Sequence, residues 1–157
     1  MDKVAIFVDV QNVYYTVKQS HGRHFHYQAF WERATAGREV VKAYAYAIDR
    51  NDPKQIQFQQ ILQSIGFEVK LKPFIQRRDG SAKGDWDVGI TIDMLELAKE
   101  IDIAILVSGD GDFDLLVRKL REAEDVEVEV YGAIKLTAGS LIKAASRFIP
   151  IEGPLLM

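Results

Sequence analysis

The chain has 157 residues, 48% apolar and 27% charged, with a net charge of −3. Those values fit one globular domain, expected to span residues 1–157, with little room for a second. There is no cysteine, which excludes disulfides and thiolate metal sites, and the three histidines all lie between His21 and His26, which argues against a zinc site assembled from distant histidines.

The first apolar run covers residues 4–8 and reads as a strand buried on both faces. It stops at Asp9, too soon for a signal peptide or a membrane span, so the expected location is the cytoplasm, with no membrane partner. A helical stretch follows from about Asn12. Residues 27–34 read as a second helix, with Tyr27, Phe30, Trp31 and Ala34 on one face. Residues 39–47 are rich in Val, Tyr and Ala and read as a strand. Asp52-Pro53 opens a helix, with proline at its first position, an apolar stripe of Phe58, Ile61, Leu62 and Ile65, and a stop at Gly66.

Residues 67–74 alternate as a strand, and residues 76–85 form a polar, glycine-containing loop. Residues 86–99 read as a helix and residues 103–107 as another fully apolar strand. Phe113, Leu116, Val117 and Leu120 mark the next helix face. A strand at 126–131, a helix at 137–146 and a short strand at 148–151 complete the chain. Strands separated by helices imply right-handed crossovers and a parallel sheet covered on both faces. Such sheets bind ligands beyond the carboxyl ends of their strands.

Two acidic groups fall at that edge. Asp9 ends the first strand, and Asp110 and Asp112 follow the strand at 103–107. A third group, Asp85 and Asp87, sits where the polar loop meets a helix start. If the two strands are neighbours, these carboxylates share one crevice, where mutual repulsion raises their pKa values and a cation relieves it. An all-oxygen donor set suits one or two Mg²⁺ or Mn²⁺ ions, whose chemistry includes activating water against phosphodiesters. The alternative for each acid is a turn or helix cap, most strongly for Asp85 and Asp112, each just before a helix. Asp93 falls on the apolar stripe of its helix with Ile90 and Leu97, so it is either paired or at the edge of the site.

At these residues the sequence resembles the NYN family, in its LabA-like branch, whose domains have a PIN-like nuclease fold. The matching motifs are Phe7-Val8-Asp9-Val10-Gln11-Asn12, then Lys83-Gly84-Asp85-Trp86-Asp87-Val88 with Asp93-Met94, then Ser108-Gly109-Asp110-Gly111-Asp112-Phe113, and more loosely the tail at 141–151. The resemblance implies a three-layer α/β domain with a central, mainly parallel sheet of strand order 3-2-1-4-5. It also implies metal-dependent cleavage of RNA. Asp9, Asp87 and Asp110 would be the metal-binding acids, supported by Asn12, Ser108 and Asp112. Val10-Gln11 stands where the family often has Gly or Asn, and Ser146 where an acid is common.

The loop leading into Asp85 carries Arg77, Arg78 and Lys83, which could hold phosphates flanking a scissile bond. A net-acidic chain needs such a local patch, or metal ions, to bind nucleic acid. Tyr14 could stack on a base, although aromatics of a first helix more often enter a core. Gly109-Asp110-Gly111 lacks the third glycine of a dinucleotide fingerprint, position 114 being Asp, so no dinucleotide cofactor is expected. A phospho-receiver is disfavoured because residues 72–75, after the third strand, offer no phosphorylatable Asp, and a phosphatase because Gln11 stands where a second acid would be needed. The remaining competitor is a regulatory or nucleic-acid-binding module of the same fold with little chemistry. A terminal strand could help a homodimer form.

Overall fold

The computed structural model describes residues 1–73, 75–76, 82–83 and 85–157, without the side chains of 75, 76, 82 and 83. The expected alternation is present. It runs β1 (Lys3–Asp9), α1 (Val10–His21), α2 (Tyr27–Thr35), β2 (Glu39–Asp49), α3 (Pro53–Ile65) and β3 (Glu68–Pro73). Then come β4 (Ile75–Gln76), β5 (Ala82–Lys83), α4 (Asp87–Leu97), β6 (Ile103–Val107), α5 (Asp114–Ala123), β7 (Glu127–Gly132), α6 (Gly139–Ala144) and β8 (Arg147–Pro150). A single 3-10 turn, Gly111–Phe113, precedes α5.

Six strands form one sheet in the order β3-β2-β1-β6-β7-β8, every pair parallel. The expected five-strand order therefore holds, and the terminal strand adds a sixth beside β7. Where residues 76–85 read as loop, a two-residue antiparallel pair, β4 with β5, lies at 75–76 and 82–83, outside that sheet. Strands this short carry no periodic pattern for a sequence to display.

Alternation along the buried strands sets the layers. Val4, Ile6 and Val8 of β1 join Ile103, Ile105 and Val107 of β6 on one face, packed by Val13 and Val17 of α1, Phe30 and Ala34 of α2 and Leu62 of α3. Ala5 and Phe7, with Ala104 and Leu106, face the other way against Ile90 and Met94 of α4, Val117 and Leu120 of α5 and Leu141 of α6. Each large apolar side chain so enclosed contributes roughly 1.5–3 kcal/mol relative to exposure. Ile61, expected in the α3 stripe, is 56% exposed. α3 lies against the β3 end of the sheet and buries only a narrow band. Among the described residues, no helix is long and apolar enough to cross a membrane.

Local chemistry explains several boundaries. Asp52 caps α3 by accepting the Lys54 N–H at 2.9 Å, with Pro53 in the first turn. His26 caps α2 through Nδ1, which accepts the Ala29 N–H at 3.1 Å. The histidine stretch is thus partly structural. Val8 of β1 pairs with Val107 of β6, so the two central strands end level. That register brings the turns after them together.

Candidate metal centre

Asp9 is the last residue of β1 and the N-cap of α1, 8% exposed. Its Oδ1 accepts the Asn12 N–H at 3.4 Å and its Oδ2 accepts the Ser108 hydroxyl at 3.4 Å. The turn after β6 is tied to the same place. Asn12 Oδ1 accepts the Gly109 N–H at 2.9 Å, and Ser108 Oγ accepts the Asp110 N–H at 3.2 Å. Ser108 is wholly buried. Asn12 and Ser108 thus lock two turns, about a hundred residues apart in the chain, into one rigid unit.

Asp110 caps the 3-10 turn, its Oδ1 accepting the Asp112 N–H at 2.9 Å. Asp85 Oδ1 accepts the Asp87 N–H at 3.2 Å, which sets the start of α4. The turn after β6 is buttressed by the segment before α6. The Ala138 N–H donates to the Gly109 carbonyl at 3.1 Å, and a Cβ on Gly109 would stand 2.7 Å from the Leu136 carbonyl oxygen. Gly109 is therefore required by this close approach. The sequence reading missed this buttress, and no local pattern in residues 133–138 announces it.

Carboxylate oxygens of Asp87, Asp110 and Asp112 all lie within 4.8 Å of one another. Asp112, expected in support, belongs to this tight triad. Asp9 and Asp85 lie outside it, and Asp9 feels the charge of Asp110. Burial pushes the Asp9 carboxyl up to about 6, helped by the charges of Asp110 and Asp85 and opposed by the Asn12 and Ser108 hydrogen bonds. Burial also pushes Asp87 up to about 7, reinforced by a hydrogen bond with Asp110 and by the charges of Asp110, Asp85 and Asp9. Five acids thus crowd one edge, and the charges among them add to the burial that disfavours ionisation of Asp9 and Asp87. Among the described residues no basic group pairs with any of the five within 4.0 Å. The donor set is all oxygen and includes no nitrogen or sulfur, which fits a hard divalent cation.

The other site expectations divide. Tyr14 is 43% exposed, edge-on to Tyr15 and stacked on His24 at 5.7 Å. It is open to solvent on α1, not lost to the core. Arg77 and Arg78 lie outside the described residues, as does the side chain of Lys83. Asp93 is paired: Lys70 Nζ and the Tyr46 hydroxyl each donate to its Oδ2 at 2.7 Å. Ser146 has a structural role, its Oγ accepting the Val128 N–H at 2.9 Å and its own N–H donating to the Val128 carbonyl.

A family model described as the NYN domain matches residues 3–152. The chain is 30% identical over 160 residues to the low amplitude and bright protein LabA of Synechococcus elongatus, covering 96% of this chain and 84% of that protein. Its fold superimposes on the crystal structure of a protein of unknown function from Vibrio parahaemolyticus with a TM-score of 0.95 at 56% identity, over 99% of this chain and 96% of the other. MurG of Acinetobacter baumannii, at a TM-score of 0.52, 14% identity and coverage of 98% of this chain and 42% of that one, shares the fold alone. Three motifs in family order on a layered parallel sheet agree with these matches: the chain belongs to the NYN domain family, on its LabA-like side.

Proposed function

We propose that this protein is a metal-dependent ribonuclease that hydrolyses phosphodiester bonds in single-stranded RNA. The observation that carries the reading is the triad Asp87, Asp110 and Asp112, with oxygens within 4.8 Å, backed by a buried Asp9 that no base among the described residues neutralises. Asp87, Asp110 and Asp112 would hold Mg²⁺ or Mn²⁺, with Asp9 and Asp85 completing the negative field. Bound there, such an ion supplies charge stabilisation to a phosphodiester and activates water for in-line attack.

The chain's own residues supply the rest. Ser108 and Asn12 hold the Asp9 and Asp110 turns in register, so the acids need no reorganisation when charge develops. Asp9, with its carboxyl near 6, can hold or release a proton at neutral pH. Lys83, Arg77 and Arg78 are assigned to phosphates, and Tyr14 to base stacking, from their positions in the sequence.

Incubation of end-labelled single-stranded RNA with and without Mn²⁺, beside Asp110→Asn, tests the proposal. Cleavage that needs Mn²⁺ and disappears in the variant supports it. Identical cleavage by a folded variant rejects it. Calorimetric titration finding no Mn²⁺ binding at millimolar concentration would favour the regulatory or binding module instead.

A further inference from the structure

Two lysines of β3, Lys70 and Lys72, lie on one face of the strand, two residues apart, and meet opposite fates. Lys70 spends its charge inside the fold. Its ammonium is 2.7 Å from Asp93 Oδ2 and 4.1 Å from the centre of the Tyr44 ring. Lys72 has no carboxylate within 4.0 Å among the described residues. Its ammonium sits 4.4 Å from the centre of the Trp86 ring and donates to the Asp85 carbonyl at 3.1 Å.

Trp86 is itself fixed. Its indole N–H donates to the Ala47 carbonyl at 2.9 Å, its ring packs on Tyr46, and a Cβ on Gly89 would stand 2.6 Å from it. Trp86 is also the N-cap residue of α4, directly before Asp87. Lys72 is therefore a partly exposed cation, held flat on an immobile indole at the rim of the acidic cluster. One ammonium N–H is used by a carbonyl, and among the described residues the other two have no partner.

From this geometry we infer that Lys72 is a phosphate-contacting residue for a single-stranded nucleic acid entering the acidic site, an assignment that rests on the ribonuclease reading. A cation on an aromatic face keeps its charge while losing part of its hydration, which favours a phosphate as partner. The indole removes the freedom that an ordinary surface lysine would lose on binding. The Asp85 carbonyl bond sets the phosphate beside the acids that would hold the metal. Lys70, half-buried and held in its own ion pair, is the built-in control.

The test compares Lys72→Met, Lys72→Arg and Lys70→Met for binding of a fluorescein-labelled uridine oligomer, in Ca²⁺, from about 50 to 200 mM KCl. Methionine keeps the packing on Trp86 and removes the charge together with the bond to the Asp85 carbonyl. Lys72→Met should weaken binding roughly five-fold and lower the slope of log Kd against log salt by about 0.7, one single-strand phosphate contact. Lys72→Arg should restore both, and Mn²⁺ affinity and tryptophan emission should stay as in the parent. Lys70→Met should lower the melting temperature and leave the slope unchanged.

An unchanged slope in Lys72→Met overturns the inference, as does a slope change equalled by Lys70→Met. Loss of Mn²⁺ affinity with an unchanged slope would mark Lys72 as merely holding the Asp85 loop, and also overturns it. RNA binding that depends on Lys72 without any cleavage would remove the nuclease reading and keep this one. Cleavage with a slope indifferent to Lys72 would do the reverse.

Discussion

Two buried acids on one sheet show what a partner changes. Glu129 of β7 is 7% exposed and meets Arg38 through two parallel hydrogen bonds of 2.8 Å, a fork-to-fork pair. The same contact pushes the Arg38 guanidinium up from its ordinary value. Asp9 of β1 is 8% exposed, and its neighbours are a backbone N–H, a hydroxyl and further acids. The first arrangement is complete in itself and fastens the entry of β2 to β7. The second carries a desolvation cost with no cation among the described residues to offset it, which is what a cation site needs before its ion arrives. α4 repeats the contrast within one helix, where Asp93 is closed off by Lys70 and Tyr46 and Asp87 faces other acids.

The largest expected effect separates chemistry from stability. Asp110→Asn should cut RNA cleavage by about 10³-fold, about 4 kcal/mol of barrier, while the melting temperature holds or rises. A folded variant cleaving within ten-fold of the parent would remove the distinction between paired acids and the unpaired cluster. Next, Arg38→Ala should destabilise the fold by about 3 kcal/mol, because it strands Glu129 in the interior, with Arg38 itself only partly shielded from solvent. Denaturant unfolding measures this, and Mn²⁺ should not alter the size of the loss.

The pH dependence follows from the raised carboxyls. The Asp9 carboxyl rises on folding from 3.8 to about 6, so protonation favours the folded chain. That contribution is complete below about pH 4 and drains away as pH climbs through 6. Asp9→Asn should therefore stabilise the metal-free protein by about 2–3 kcal/mol at pH 8 relative to the parent. The gain should shrink toward zero at pH 4, as read from unfolding curves at both values. Asp87, raised to about 7 but more exposed, should give the same sign with a smaller amplitude. Smallest of all, saturating Mn²⁺ should raise the melting temperature by several degrees at pH 8 and by little at pH 5, where protons compete for the same oxygens. Equal shifts at both pH values would separate the ion from these carboxyls.

Much of this was legible in the chain. The β6 span at 103–107 was read to the residue, because a run of five buried apolar residues between turns has one plausible use. The cap at Asp52 and the stop at Gly66 were equally plain, being written in residues within one turn of each helix end. Legibility failed where partners lie far apart. The buried pairing of Arg38 with Glu129 spans 91 residues, and nothing beside either one signals it. Lys70 and Lys72 read as two equivalent positions of a strand until Asp93 and Trp86 arrive from α4.

By itself, the order of apolar runs and turn residues determined an alternating α/β chain with its acids at strand ends, since hydrophobic period and capping act over a few residues. Only the tertiary structure decided which acids meet. The level ends of β1 and β6 brought Asp9 to Ser108 across 99 residues. The packing of α4 against the same edge put Asp87 with Asp110 and Asp112, leaving Asp9 one hydrogen-bonded step behind. Ångström-scale distances between carboxylates depend on register and helix docking, and those are settled by the packing of the whole core.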